Sequence, residues 1–427
     1  MPHSPTKAER AHVSRPSHDW RAGGLSLALC GGLLANSLVP FVPAQGLTAV
    51  SLATAVGLCI RFGRLPSALH AGLAGLATVS ALAWLRLPAP DLNATEHQTG
   101  LLLGLWSTLT VASFATTRSR LTLIAGGFAL AGTLAVAIGL AGTSINSGKF
   151  VGVLRELPAW TYSWLPERKL RLPGLESSGF INPNALGGLA VIILPVTLGL
   201  GWEVRRRTVP CGGLILAVAL AGCAASSVAL LVTRARGALL ATLVTGILVW
   251  LWYRRPPPIA AAVVCLSVAL TSVYVATYDG QFYLVRDSFS DRMAIWRLAV
   301  DAWASSPLMG LGMNQFHHIP NASQSGFTTV AHAHNTFLQV AVDLGAAGLA
   351  PYVLVMGAAL ALGLKRTASH SQNSGLALGL AGSLVAVHLF GLVDAIALGS
   401  RVGVFVWLVV GLAHATHEVA NTAAPSA

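Results

Sequence analysis

The feature that most constrains this chain is the recurrence of apolar runs of about twenty residues, the length a helix needs to cross a bilayer. Walking the 427 residues gives about twelve, near 23–42, 45–61, 66–85, 100–116, 121–142, 183–202, 210–232, 237–253, 258–277, 335–364, 375–395 and 402–416. The tenth is too long for one straight crossing, and Gly345 and Gly348 mark a bend in it. Hydrophobic residues make up 54% of the chain and charged residues 10%, against about 25–35% charge on a soluble surface. That balance excludes a soluble enzyme, a disulfide scaffold, a disordered tail and a coiled coil. The expected fold is an all-α polytopic membrane protein. A cytoplasmic tail (1–22) precedes one transmembrane domain (23–416), and a second cytoplasmic tail (417–427) follows it. Two long outer loops, about 143–182 and 278–333, interrupt the domain. The five cysteines fall in apolar runs without metal-ligand spacing and read as small hydrophobes.

Lys and Arg number 27 against 15 Asp and Glu, a net charge of +12. In this composition the excess reads as the orientation signal of membrane spans rather than as a nucleic-acid surface. With the N-terminal tail inside, the short cytoplasmic connections hold Arg61 and Arg64, Arg118 and Arg120, Arg205 to Arg207, Arg254 and Arg255, and Lys365 and Arg366. The remaining cations fall on the outer side: Arg86 alone, Lys149, Arg155, Arg168, Lys169 and Arg171 in the first long loop, Arg234 and Arg236 at a tight turn, Arg286, Arg292 and Arg297 in the second long loop, and Arg401 before the last span. Exporting positive charge is disfavoured, so a basic outer face points to an anionic ligand. Trp160, Tyr162 and Trp164 in the first loop fit either an interfacial aromatic belt or a platform for stacking sugars.

Three outer segments carry chemistry. Thr233-Arg234-Ala235-Arg236-Gly237 offers guanidinium groups, which grip phosphate oxygens in a two-pronged way; the plainer alternative is arginines reaching for the interface. In the second loop, Ala294, Ile295, Leu298 and Ala299 have the spacing of a helix lying on the membrane, with Arg292 near its start. Gly310 and Gly312 there suggest a tight turn. The loop ends in His332-Ala333-His334-Asn335. A histidine where a polar loop meets a span is close to water yet backed by apolar structure, which suits a general base; a structural or capping histidine is the alternative. Metal binding by His332 and His334 would need a third ligand, and no carboxylate nearby in sequence has the spacing, so no metal is expected. Asp394, at the outer end of span eleven, has two possible partners, His334 or an outer arginine. Asp343 lies deeper and reads as packed between helices. The first outer loop, Val42-Pro43-Ala44-Gln45, has no acid, and no Asp-x-Asp occurs. A diphosphate leaving group needs no metal where arginines neutralise its charge.

Together these segments resemble the O-antigen ligase and polymerase superfamily of bacterial inner membranes. The matching pieces are Asn182-Pro183-Asn184, Arg236-Gly237-Ala238-Leu239-Leu240-Ala241, Arg292 through Trp296, and Pro307 through Phe316. His334-Asn335-Thr336-Phe337-Leu338 followed by Gly345-Ala346-Ala347-Gly348-Leu349 is the most specific, and Asp394 with Gly399 and Trp407 completes the set. The resemblance implies a GT-C-like, cofactor-free, inverting glycosyltransferase with its site facing the periplasm. Such an enzyme moves a glycan from undecaprenyl diphosphate to a hydroxyl of lipid A-core. By that likeness Arg236 and Arg292 hold the diphosphate and His334 activates the acceptor. Arg234, His332, Asn335, Asp394, Asn184 and Arg401 contribute to substrate binding, with His332 left as an alternative base. Polymerases and protein O-oligosaccharyltransferases share the pattern, so ligase and these relatives stay open. A lipid-linked glycan transporter is the reading from a different class; transporters concentrate charge and broken helices at the midplane, whereas here Asp343 is almost the only charge deep in a span and the polar chemistry sits in outer loops.

Overall fold

The computed structural model describes residues 20–38, 44–59, 65–143, 182–233, 235–254, 282–319, 332–368 and 374–422. Their regular structure is helical: α1 (Trp20–Leu38), α2 (Ala44–Cys59), α3 (Ser67–Leu85), α4 (Leu92–Phe114), α5 (Arg118–Gly142), α6 (Pro183–Arg205), α7 (Gly212–Thr233), α8 (Arg236–Arg254), α9 (Phe282–Ser305), α10 (Thr336–Ala368), α11 (Ser374–Phe390) and α12 (Arg401–Thr422). Seven of these are long and apolar enough to cross a membrane, consistent with a polytopic membrane protein. The expected span 258–277, Arg234 and most of the first long loop, with Trp160, Tyr162 and Trp164, lie outside the described residues.

The starts and packing of the helices follow from small, local chemistry. Asp91 caps α4 by accepting from the Ala94 amide at 2.7 Å. Asn182 caps α6 by accepting from Asn184 at 2.8 Å, with Pro183 in the first turn, where a missing N–H costs nothing. Glycines let backbones approach where lipid gives no hydrophobic incentive for association. A Cβ on Gly199 would strike Gly375 and Gly379, which joins α6 to α11, and Gly104 leaves room for the buried ring of Trp407, which joins α4 to α12. Thr108 of α4 donates to the Trp407 carbonyl at 2.8 Å. At one end of the bundle Arg118 lies near Arg207 and Glu203, and Glu203 pairs with Arg207 at 2.8 Å. Glu203 is thus a buried acid within α6 that the apolar-run boundaries left outside a span. Cys211 stands exposed in a turn rather than within a span.

Two expectations change in the second outer loop. α9 does not lie apolar side down on a membrane: Ile295, Ala299 and Ala302 are buried against Phe316, Ala333 and Val342 of the same protein. Arg292 sits in the middle of α9 rather than near its start. The glycines around Leu311 also do more than turn. α10 is broken at Gly345, whose φ of 65° and ψ of −169° are non-helical, and the segment 307–312 docks into the break. Leu311 and Gly312 amides donate to the Val342 and Asp343 carbonyls at 2.7 and 2.9 Å, and the Ala346 and Ala347 amides donate to the Pro307 and Leu308 carbonyls at 2.8 and 3.0 Å. The groups a broken membrane helix would orphan are therefore satisfied by protein backbone, as burial in an apolar medium demands. Asp343 closes the junction, accepting from Gln339 at 2.9 Å and from the Asn314 amide at 3.1 Å.

This junction sets a testable cost. Only glycine takes the Gly345 backbone without strain, and an added Cβ would meet the Leu308 carbonyl and the Met309 amide. Gly345→Val is expected to destabilise the protein by at least about 3 kcal/mol. Thermal unfolding in detergent should show a clearly lowered Tm; a melting curve matching the wild type would contradict the docking.

Candidate functional site

The site forms around the turn 391–400 that joins α11 to α12. Thr336, the first residue of α10, clamps this turn: its amide donates to the Gly391 carbonyl at 2.7 Å, and its hydroxyl accepts from the Ile396 amide at 3.1 Å. From the other side, the Trp407 indole donates to the Leu398 carbonyl at 3.0 Å. A turn held from both flanks presents its side chains in fixed directions.

Asp394 is the buried centre of the turn. One oxygen, Oδ1, accepts from His332 Nε2 at 3.1 Å, from His334 Nδ1 at 3.1 Å and from the Ala395 amide at 2.8 Å. Burial pushes the Asp394 carboxyl up, but the two imidazole hydrogen bonds and their charge outweigh it and hold the group well below the usual carboxylate range. Asp394 is therefore a fixed anion. The two rings lie side by side with centroids 4.2 Å apart, but they use different nitrogens. His334 turns Nδ1 to the carboxylate and keeps Nε2 out of that bond; His332 spends Nε2 on the carboxylate. His334 also holds a left-handed backbone, φ 47°, uncommon for a non-glycine residue. The conformation is fixed by its neighbours. The Trp296 indole donates to the His334 carbonyl at 3.2 Å, while Asn335 Oδ1 caps α10 by accepting from the Phe337 and Leu338 amides, each at 3.0 Å. Asn335 Nδ2 then donates to the Leu392 carbonyl at 3.1 Å, back onto the same turn.

Arg292 reaches this turn directly, and two further arginines open helices beside it. Arg292 Nε donates to the Val393 carbonyl at 2.8 Å, one residue from Asp394. Arg236 is exposed at the first residue of α8, and a Cβ on the adjacent Gly237 would meet Val393 and Phe390, so the start of α8 rests on the turn. α6 arrives beside it, with Gly187 against Ala235 and Ala238 and Gly188 against Phe390 and Ile396; this places Asn184 at the same end of the bundle. Arg401, exposed, opens α12 where the turn ends. Of the residues expected at a site, His332, His334, Asn335, Asp394 and Arg292 are joined by direct hydrogen bonds through one turn. Arg236, Asn184 and Arg401 stand at helix starts around it.

Sequence spacing did not reveal the third ligand-type group beside the histidine pair. Asp394 supplies it from 60 residues away, so His332, His334 and Asp394 together have the donor set of a two-histidine, one-carboxylate centre. The oxygen that meets both rings, Oδ1, also accepts from the Ala395 amide, so three hydrogen bonds hold this arrangement. The carbonyls of Leu392 and Val393, which hold Asn335 and Arg292, also escaped sequence reading, because backbone acceptors leave no residue-type signal.

A family model described as O-antigen ligase matches residues 221–353, from within α7 to the middle of α10. The match takes in Arg236, Arg292, His332, His334 and Asn335, whereas Asn184, Asp394 and Arg401 lie outside it. No curated protein matches the chain.

Proposed function

We propose that this chain belongs to the O-antigen ligase superfamily, as the family match at residues 221–353 supports, and that it is an inverting, metal-independent glycosyltransferase of GT-C-like architecture. It moves an O-antigen glycan from undecaprenyl diphosphate to a hydroxyl of lipid A-core at the periplasmic face of the bacterial inner membrane. The observation that carries this reading is the Asp394–His334 pair with Arg292 bonded to the residue next to it. His334 Nε2 takes the proton of the acceptor hydroxyl as its oxygen bonds to the anomeric carbon. The bond from that carbon to the diphosphate oxygen breaks on the opposite face, which inverts the centre. Asp394 holds the imidazole in one tautomer and stabilises the cation that forms, the role a buried carboxylate plays behind a general base. Arg236 and Arg292 offset the charge growing on the departing diphosphate, and Arg234, which precedes α8, adds a third guanidinium in the same role. His332, Asn335, Asn184 and Arg401 line the approach. Sidedness rests on the end of the bundle opposite the turn, where Arg118 and Arg207 gather, as the excess of cations on the cytoplasmic side requires.

The test is transfer from purified lipid-linked glycan to lipid A-core by the protein in detergent or vesicles. Arg236→Ala and Arg292→Ala are each expected to lower the rate by about 10²–10³, the cost of losing one donor to developing charge, while membrane insertion is unchanged. Full activity in both variants would sink the assignment. The lipopolysaccharide of a deletion strain separates ligase from polymerase: loss of all capped lipopolysaccharide with long lipid-linked chains accumulating marks the ligase. Single repeats left on the core mark the polymerase.

A further inference from the structure

A second cluster at the same end of the bundle lies outside the residues assigned to that transfer. Asp91, the cap of α4, points Oδ2 at two imidazoles: His317 Nε2 lies 3.1 Å away and His318 Nε2 3.0 Å away. The rings come from adjacent residues on a short 3₁₀ turn, Phe316–His318, with centroids 4.0 Å apart. The turn is anchored by Phe316, which is fully buried. Asp91 is equally fixed, since its Oδ1 is committed to the Ala94 amide and its carbonyl accepts from Thr95. Three donor atoms, one from each residue, lie within 4.8 Å of one another. All three side chains are reachable from solvent, His318 the most.

We propose that Asp91, His317 and His318 form a binding site for a divalent transition-metal ion, Zn²⁺ by its donor set, that clips the 316–318 turn to the start of α4. Bonds of about 2.0–2.1 Å at a tetrahedral centre set neighbouring donors about 3.3 Å apart, close to the nitrogen-to-oxygen separations found here. Two imidazoles and a carboxylate leave the fourth position to water. The committed Oδ1 plays the orienting part that outer hydrogen bonds play around metal ligands. The contrast with Asp394 is one amide: there Ala395 donates to the same oxygen that meets both rings, whereas among the described residues Asp91 Oδ2 meets the two rings and the capping amide goes to Oδ1. Sequentially adjacent histidines whose ring nitrogens converge on a carboxylate from 226 residues away are poorly explained by capping alone, which Oδ1 already performs.

The test uses the full chain in detergent, stripped with chelator and titrated with zinc against a chromophoric competitor. The wild type should bind zinc. His332→Ala/His334→Ala should retain that site, whereas His317→Ala/His318→Ala should weaken it at least about 100-fold, more than the loss of an outer-shell partner costs. Asp91→Asn keeps an oxygen for the Ala94 amide, so the helix cap survives while zinc affinity falls; thermal unfolding without zinc checks that the fold is intact. Unchanged affinity in the His317/His318 variant, or no zinc bound by the wild type at equimolar concentration, overturns the proposal whatever the outcome for glycan transfer.

Discussion

Replacing His334 with alanine is expected to lower the glycan-transfer rate by about 10²–10⁴, the usual contribution of a positioned general base. His332→Ala should cost less, about 10–100-fold, which is what losing one charge-assisted hydrogen bond to Asp394 is worth. The ranking follows from which nitrogen each ring gives to the carboxylate: His334 gives Nδ1 and keeps Nε2, and His332 gives Nε2. Initial rates with purified donor and acceptor decide it. A His332 variant more damaged than the His334 variant would exchange the two roles and remove the geometric basis of the mechanism. Because both rings share one oxygen, the double variant should lose little more than His334→Ala alone, as expected of residues acting as a unit.

The second large effect is expected at Asp394. Asp394→Asn preserves shape but offers an amide where an anion held the His334 tautomer, and comparable changes behind a catalytic imidazole cost up to about 10⁴ in kcat. Asp394 positions rather than touches substrate, so kcat should fall while donor KM changes little; a rise in KM with kcat preserved would make it a binding residue instead. The pH dependence has a defined sign. The folded carboxyl titrates below its ordinary value of 3.8, so its stabilising contribution is fully present above that value and is lost only as pH falls through the lower folded one. Across the neutral range Asp394 stays ionised. The wild type should therefore gain stability relative to Asp394→Asn as pH rises from strongly acidic conditions to about 4. Unfolding curves for the two proteins across that range check this, and parallel curves would place the carboxylate's stabilisation elsewhere.

Several elements were legible without coordinates because their signal is local. Apolar runs marked most of the described helices, glycine marked the break in α10, and the chain segment entering that helix marked the histidines. The departures come from long-range partners. The stripe Ile295-Ala299-Ala302 has the same spacing whether it meets lipid or protein, and only the positions of Phe316 and Val342 decide that it meets protein. Gly310 and Gly312 predict a turn by backbone freedom, but their docking into α10 depends on carbonyls 31 residues further on. The adjacent pair His317-His318 was not singled out in the sequence, and its carboxylate, Asp91, belongs to a helix start 226 residues away.

By itself, then, the sequence determined that this chain has the apolar helices of a polytopic membrane protein, where most of its described helices run, and which polar side chains stand out against that background. Hydropathy and charge are properties of each residue and its near neighbours, so they survive without coordinates. Which nitrogen of which histidine faces Asp394, and that Arg292 reaches the carbonyl beside it, was decided only by tertiary structure. Hydrogen bonds of about 3 Å between residues 60 and 101 positions apart depend on how α9, α10 and the 391–400 turn pack together, and no local pattern encodes that.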